Sequence, residues 1–125
     1  MLTVLPIQSK DEQKELCLKC DVEYDIESFC YRADDGDFIG ICQFCFDNGI
    51  GYIKNLAYAP NMDDTEAMII MLRATMSFMY RCGLEKSILT DGCMPENLRN
   101  MSGYIKNADG IYTFDLKKFY GGHCH

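Results

Sequence analysis

Positive charge is scarce in this chain: 12 lysines and arginines stand against 19 aspartates and glutamates, for a net charge of −7. The few cations are scattered, which excludes nucleic acid as a partner, because phosphate recognition rests on clustered lysine and arginine. An acidic balance suits a cationic partner such as an amine, and it equally serves solubility. Histidine is nearly absent too. His123 and His125 sit at the extreme C-terminus, so a thiol nucleophile elsewhere has no neighbouring imidazole to activate it. No uninterrupted apolar run approaches the length of a bilayer span, so no membrane segment is expected. The opening, MLTVLPIQSKDEQ, lacks a basic segment followed by a long apolar one; it does not read as a secretory signal, and the expected location is cytoplasmic. Repeats, low-complexity tracts and linkers are missing as well, which predicts one domain over residues 1–125.

What is present suffices for a core: 48% of the 125 residues are apolar and 12% aromatic. The eight cysteines, in a reducing compartment, read as buried thiols, metal ligands or reactive groups before disulfides. Residues 2–7 form a short strand limited by Pro6. Ser9 or Asp11 caps a helix running to about Cys20, with apolar positions at Leu16, Leu18 and Val22. A strand starts at Phe29, a turn follows at Gly36, and residues 38–46 are a nearly continuous apolar run, as in a strand covered on both faces. Asp47-Asn48-Gly49 then turns the chain into a strand over 51–59. From Asp63 a helix runs that is apolar almost all round, hence expected to be enclosed, and Gly83 ends it. Residues 86–90 return as a strand parallel to the one before the helix. Residues 95–106 predict a short helix with Pro95 near its first turn, and 111–119 a closing strand. The fold class is therefore α/β (α+β): a mixed sheet, antiparallel hairpins first and a parallel βαβ unit after them.

This succession resembles the GNAT superfamily, the acetyl-CoA-dependent N-acetyltransferases, over residues 28–120. The strand ending in Tyr58-Ala59-Pro60, the length of the following helix and its closing Gly83 carry the likeness. In that family the helix opens on Arg/Gln-x-x-Gly-x-Gly/Ala; here the stretch reads Asp63, Asp64, Thr65, Glu66, Ala67, Met68, with acids in place of the phosphate-gripping residues. The family's N-terminal part usually has two helices, and this chain has room for one. The resemblance implies acetyl-CoA as cofactor, lying in a V-shaped gap between the strands before and after the long helix. Its pantetheine arm would run along Leu56, Ala57, Tyr58 and Ala59, and the amides around Thr65, Glu66, Ala67 and Met68 would face the pyrophosphate. Asn97, Asn100 and Tyr104 match the family's Asn-x-x-Ala-x-x-x-Tyr spacing except for Asn100, which implies Asn97 beside the coenzyme and Tyr104 as the acid that protonates the departing thiolate. The acceptor implied is a small-molecule or peptide amine, positioned against the thioester with backbone N–H groups stabilising developing charge. Exposed edge strands are compatible with a homodimer.

Competing readings of the same residues stand beside this one. Asp63 and Glu66 fit a capping box, which would occupy the helix's first amides with the protein's own side chains. The strand over 52–59 holds no carboxylate to act as general base; Asp91 is the nearest candidate, and an Asp-Gly turn explains it equally. Tyr58 and Tyr104 also fit packing roles. A non-catalytic descendant, keeping the sheet as a binding or regulatory module, is the alternative function. Cys17-x-x-Cys20 and Cys42-x-x-Cys45 have the interval of a zinc ribbon. Yet Cys42 and Cys45 within one extended strand point to opposite sides, core packing is the default for free cysteine, and no metal ligand is assigned. His123-Cys124-His125, after Gly121-Gly122, offers soft ligands or a frayed tail.

Overall fold

The computed structural model describes residues 1–121. Strand β1 (Thr3–Pro6) leads into helix α1 (Lys10–Lys19), which Ser9 caps through its Oγ, accepting from the Glu12 N–H at 3.3 Å. Strands β2 (Phe29–Asp35) and β3 (Asp37–Asp47) meet at Gly36, whose φ of +77° admits a turn that a side chain would strain. Asn48 and Gly49, both at positive φ, make the two-residue hairpin into β4 (Ile50–Tyr58). Helix α2 (Thr65–Arg81), strand β5 (Lys86–Leu89), helix α3 (Glu96–Ser102), the hairpin β6 (Ile105–Lys106) and β7 (Tyr112–Asp115), and helix α4 (Leu116–Gly121) complete the order. Among the described residues seven strands form one sheet, ordered β1-β2-β3-β4-β5-β7-β6. Pairing is antiparallel except between β4 and β5, so the expected class holds: hairpins, then a parallel βαβ unit.

The two faces of the sheet bury different cores. On one, α2 lays Met68, Met71, Leu72, Met76 and Met79 over Cys42, Phe44, Ile53 and Leu56. Each such side chain removed from water contributes roughly 1.5–3 kcal/mol. Two glycines let the helix sit this close: a Cβ on Gly51 would lie 2.5 Å from Met79 Sδ, and one on Gly40 2.6 Å from Met68 Sδ. On the other face α1 covers Cys30, Ile41 and Ala57 with Leu16, Cys17 and Cys20.

Four sequence expectations change. Helix α2 is not enclosed: its buried residues form one stripe at i, i+3, i+4 spacing, and Ile70 is 43% exposed. Leu18 points to solvent at 80% exposure, whereas Gln13 is buried, since the helical period puts Gln13, Leu16 and Cys17 on the inner face. The expected helix over 95–106 stops at Ser102 because Gly103 adopts the left-handed conformation (φ 85°), and 105–106 is strand instead. The closing strand ends at Asp115, whose carboxylate accepts from the Lys118 N–H at 2.9 Å and starts α4. The sheet's edges are accordingly β1 and β6, not the aromatic C-terminal strand.

Candidate functional site

The chemistry-bearing geometry is set by β4. Its pairing with β3 slips by one residue between Gln43 and Phe44: Gln43 faces Asn55 while Phe44 faces Ile53, leaving Lys54 as a bulge. The parallel register with β5 runs from Ile50–Lys86 to Ile53–Leu89 and ends there, one residue before the bulge. From that point β4 and the chain after β5 diverge, and a wedge opens between them. Ala59 donates its N–H to the Ile39 carbonyl at 2.8 Å, so strand alternation turns the N–H and C=O of Leu56 and Tyr58 away from β3 and into the wedge. Ala57 and Ala59 spend theirs on β3, and their side chains are buried.

The wedge is partly stitched by the protein itself. The Leu56 N–H donates to the Cys93 carbonyl at 2.7 Å, and Thr90 donates both its N–H (3.1 Å) and its Oγ1–H (2.9 Å) to the Ile53 carbonyl. Residues 90–93 form a tight turn, closed by Cys93 N–H to Thr90 C=O at 3.2 Å, with Gly92 at φ 66°. Asp91 is exposed at its tip, as an Asp-Gly turn residue is.

At the opening of α2 the N-cap is Asp64, not Asp63. Its Oδ1 accepts from the Ala67 N–H at 3.0 Å, and its carbonyl accepts from Met68 N–H at 3.2 Å. Glu66 therefore stands at the second helical position, one short of the place a capping box requires, and the reciprocal bond is not formed. Thr65 and Glu66 remain at the helix mouth; Ala67 and Met68 are buried beneath it. The shallow groove here, about 240 Å³, is lined by Leu2, Asp35, Asp64, Glu66, Ala67 and Ile70, with no lysine or arginine among them.

Two tyrosines lie on the α2 side of the sheet. The Tyr58 hydroxyl is buried with no hydrogen-bond partner among the described residues. Burial pushes its pKa up; the Asn97 side chain nearby pulls it back, and Asp63 and Asp64 push it up further. Tyr104 lies past the Gly103 break, so it does not share α3 with the exposed Asn97 and Asn100, as an unbroken helix would have required. Its ring packs on Phe114 (centroids 5.4 Å apart) and its hydroxyl pairs with Ser87 Oγ at 2.7 Å. Burial drives its pKa far above the ordinary 10, against the opposing pull of the Ser87 hydrogen bond.

On the opposite face lies a polar assembly that sequence reasoning missed. Gln43, fully buried, accepts from Gln13 Nε2 (2.9 Å) and the Asp25 N–H (3.0 Å), and donates to Asn55 Oδ1 (2.7 Å) and the Glu23 carbonyl (2.9 Å). It pins the loop after α1 against the bulge of β4, where Lys54 reaches Asp25 at 4.0 Å. The signal was available: Gln43 is the one strongly polar residue inside the apolar run 38–46, and a buried amide must find partners. The thiols do not assemble as a zinc ribbon. Cys42 packs under α2, Cys45 faces the other way near Lys54, and among the described residues no group of three or more potential metal ligands gathers. Cys17 and Cys20 are buried, and desolvation raises them to about 11 and about 12, so they are protonated core thiols. The candidate ligands His123, Cys124 and His125 lie outside the described residues.

No family model matches the sequence, and no curated protein matches it either. Solved structures do. The chain is similar to the ribosomal-protein-S18-alanine N-acetyltransferase from Escherichia coli, with a TM-score of 0.67 over 93% of this chain and 94% of that one at 10% identity. It is similar to a GNAT family acetyltransferase from Elizabethkingia anophelis with acetyl-CoA bound, with a TM-score of 0.66 over 91% and 97% of the two chains at 14% identity. With an IAA acetyltransferase from Bacillus cereus the TM-score is 0.59 at 19% identity, over 71% of this chain and 65% of that one. Identities this low speak for architecture: the protein has a GNAT-like fold, and its structural relatives include proteins solved with CoA or acetyl-CoA. Among the described residues no helix is long and apolar enough to cross a membrane.

Proposed function

We propose that this protein is an N-acetyltransferase that moves an acetyl group from acetyl-CoA to a small-molecule or peptide amine and holds the coenzyme weakly. One observation carries the reading: β4 parts from β5 at a bulge and leaves backbone hydrogen-bonding groups of Leu56 and Tyr58 facing a wedge beside the N-terminus of α2. An amide-bearing arm fits such an edge as an added strand does, through main-chain bonds. The fit is uneven. Tyr58 can supply a backbone N–H and C=O, but the Leu56 N–H is already satisfied by Cys93 and must be released for the arm to use it. The anionic end fits poorly: Asp64 occupies the Ala67 amide, Thr65 and Glu66 keep the outer ones, and three carboxylates surround the helix mouth. Each acid there opposes an anion that the helix dipole favours.

The bound coenzyme supplies the acyl thioester; the chain's contribution is alignment and proton traffic. Tyr104, fixed by Ser87, is the proposed donor to the leaving sulfur, and Asn97 and Tyr58 are the side chains proposed to lie beside the coenzyme. The stitched wedge also favours the second reading, a non-catalytic module. Isothermal titration with acetyl-CoA, followed by mass spectrometry of an amine panel, tests both. Micromolar to low-millimolar binding that weakens with salt, together with an N-acetylated product, supports the transferase. No heat at millimolar coenzyme, or binding without product, supports the non-catalytic module. A homodimer, which exposed edge strands permit, and a cytoplasmic location stay part of this proposal; gel filtration with light scattering checks the former.

A further inference from the structure

Beside the wedge, at the C-terminal end of β5, lies a cavity of about 430 Å³ that the proposed chemistry does not account for. Its charged lining residues are Arg99, Asp91 and Asp109, from α3, the turn after β5 and the β6–β7 hairpin; Ile88, Met94 and Ile111 are apolar walls. Arg99 is held in an unfinished environment. Its guanidinium lies over the Tyr112 ring at 4.9 Å, and its Nε is buried without a hydrogen-bond partner among the described residues. The one ion pair recorded for it among those residues is with Glu96 at 3.9 Å, a side chain 77% exposed. The Arg99 side chain as a whole is 34% exposed and lines the cavity, so the outer edge of its guanidinium can take a planar carboxylate there. Asp91 and Asp109 offer the opposite charge on the same cavity and are not within ion-pair distance of Arg99. Opposite charges held apart around an apolar-walled hollow match a molecule that carries both.

We propose that this cavity binds an apolar α-amino acid as a zwitterion, its carboxylate on Arg99 and its ammonium at Asp91 and Asp109. The cavity shares Cys93 and Thr90 with the wedge, so the amine is delivered beside it. As an acceptor assignment the inference rests on the acetyltransferase reading; as a binding statement it stands without it. Asp91, which the sequence offered as a candidate base, then serves the amine directly.

The test needs no coenzyme. The full chain, labelled with ¹⁵N, is titrated in turn with L-phenylalanine, L-leucine and L-methionine up to about 10 mM, then with their amides and with the corresponding acids lacking the amino group. Amide resonances of Gly92, Arg99, Gly110 and Ile111 are expected to shift with at least one free amino acid. Removal of either charge from that ligand weakens binding by about ten-fold or more. In Arg99→Gln the free amino acid falls to the affinity of its amide, while Arg99→Lys keeps part of the preference. The wild-type ligand series stands even if a variant fails to fold. An amide that binds as tightly as its amino acid, or silence from all three, overturns the proposal. Neither result touches acetyl-CoA binding, which titration measures separately.

Discussion

The two halves of β4 are built from similar residues and do different work. From Ile50 to Ile53 the strand is bonded on both sides, to β3 and to β5. From Leu56 to Tyr58 it is bonded to β3 alone, and its other edge faces a wedge closed by one loop carbonyl. Ile53 and Leu56 are equally inaccessible, both at 0% exposure, so burial does not separate the halves. What separates them is a single bulged residue, Lys54, that re-aims the strand. The first half is scaffold, and the second is the edge proposed to bind the coenzyme. A site of this kind needs a rigid base, and the doubly bonded half with its cover of methionines provides it.

Four experiments would break or sharpen that contrast. The largest expected effect is on turnover: Tyr104→Phe removes the proposed proton donor and should lower kcat by about 10²–10⁴-fold with KM nearly unchanged. An unchanged kcat would return Tyr104 to packing with Ser87. Next, Ile53→Ala in the scaffold half should cost about 2–5 kcal/mol in urea unfolding, since the buried side chain leaves a cavity. Coenzyme affinity of the folded fraction should hold; if it collapses first, the halves are not separate.

A graded effect comes from alkali. Burial raises Cys93 to about 11 and Cys42, opposite Leu56, to about 12, both above the ordinary thiol value of 9.0. Between pH 9 and 11 the unfolded chain gives up these protons and the native chain keeps them, so their contribution is fully present below 9 and lost as pH rises. Stability should fall by up to about 1.4 kcal/mol per pH unit for each such thiol. A urea midpoint flat from pH 8 to 11 would deny the burial of both. The smallest effect is at the helix mouth. Asp64→Asn retains a capping side chain and removes one charge, and acetyl-CoA affinity should rise by about two- to five-fold at low salt. No gain would mean that the pyrophosphate end lies elsewhere.

Much of this was legible one residue at a time. The hairpin turns at Gly36 and Asn48-Gly49, the helix ending at Gly83 and the parallel return are local signals, and each fell within a residue or two of its expected place. The break at Gly103 was harder, because a glycine inside a helical pattern is often tolerated, and here its left-handed conformation moved Tyr104 off the helix. The Asp63–Glu66 spacing suggests a capping box one residue too early, since Asp63 and Asp64 offer the same cap chemistry. The Leu56–Cys93 bond joins positions far apart in sequence across a parallel pair, and no period or spacing announces such a contact.

By itself the sequence determined the order of elements, the sheet's mixed polarity and the acidic mouth of α2, because turn chemistry, apolar period and charge act over a few residues. Tertiary structure alone decided where β4 bulges, which of its amides remain free, which tyrosine lies buried on the α2 side of the sheet and that Arg99 shares a cavity with Asp91 and Asp109. Those facts depend on two strands diverging and three loops converging, and the energies that fix them come from packing partners distant along the chain.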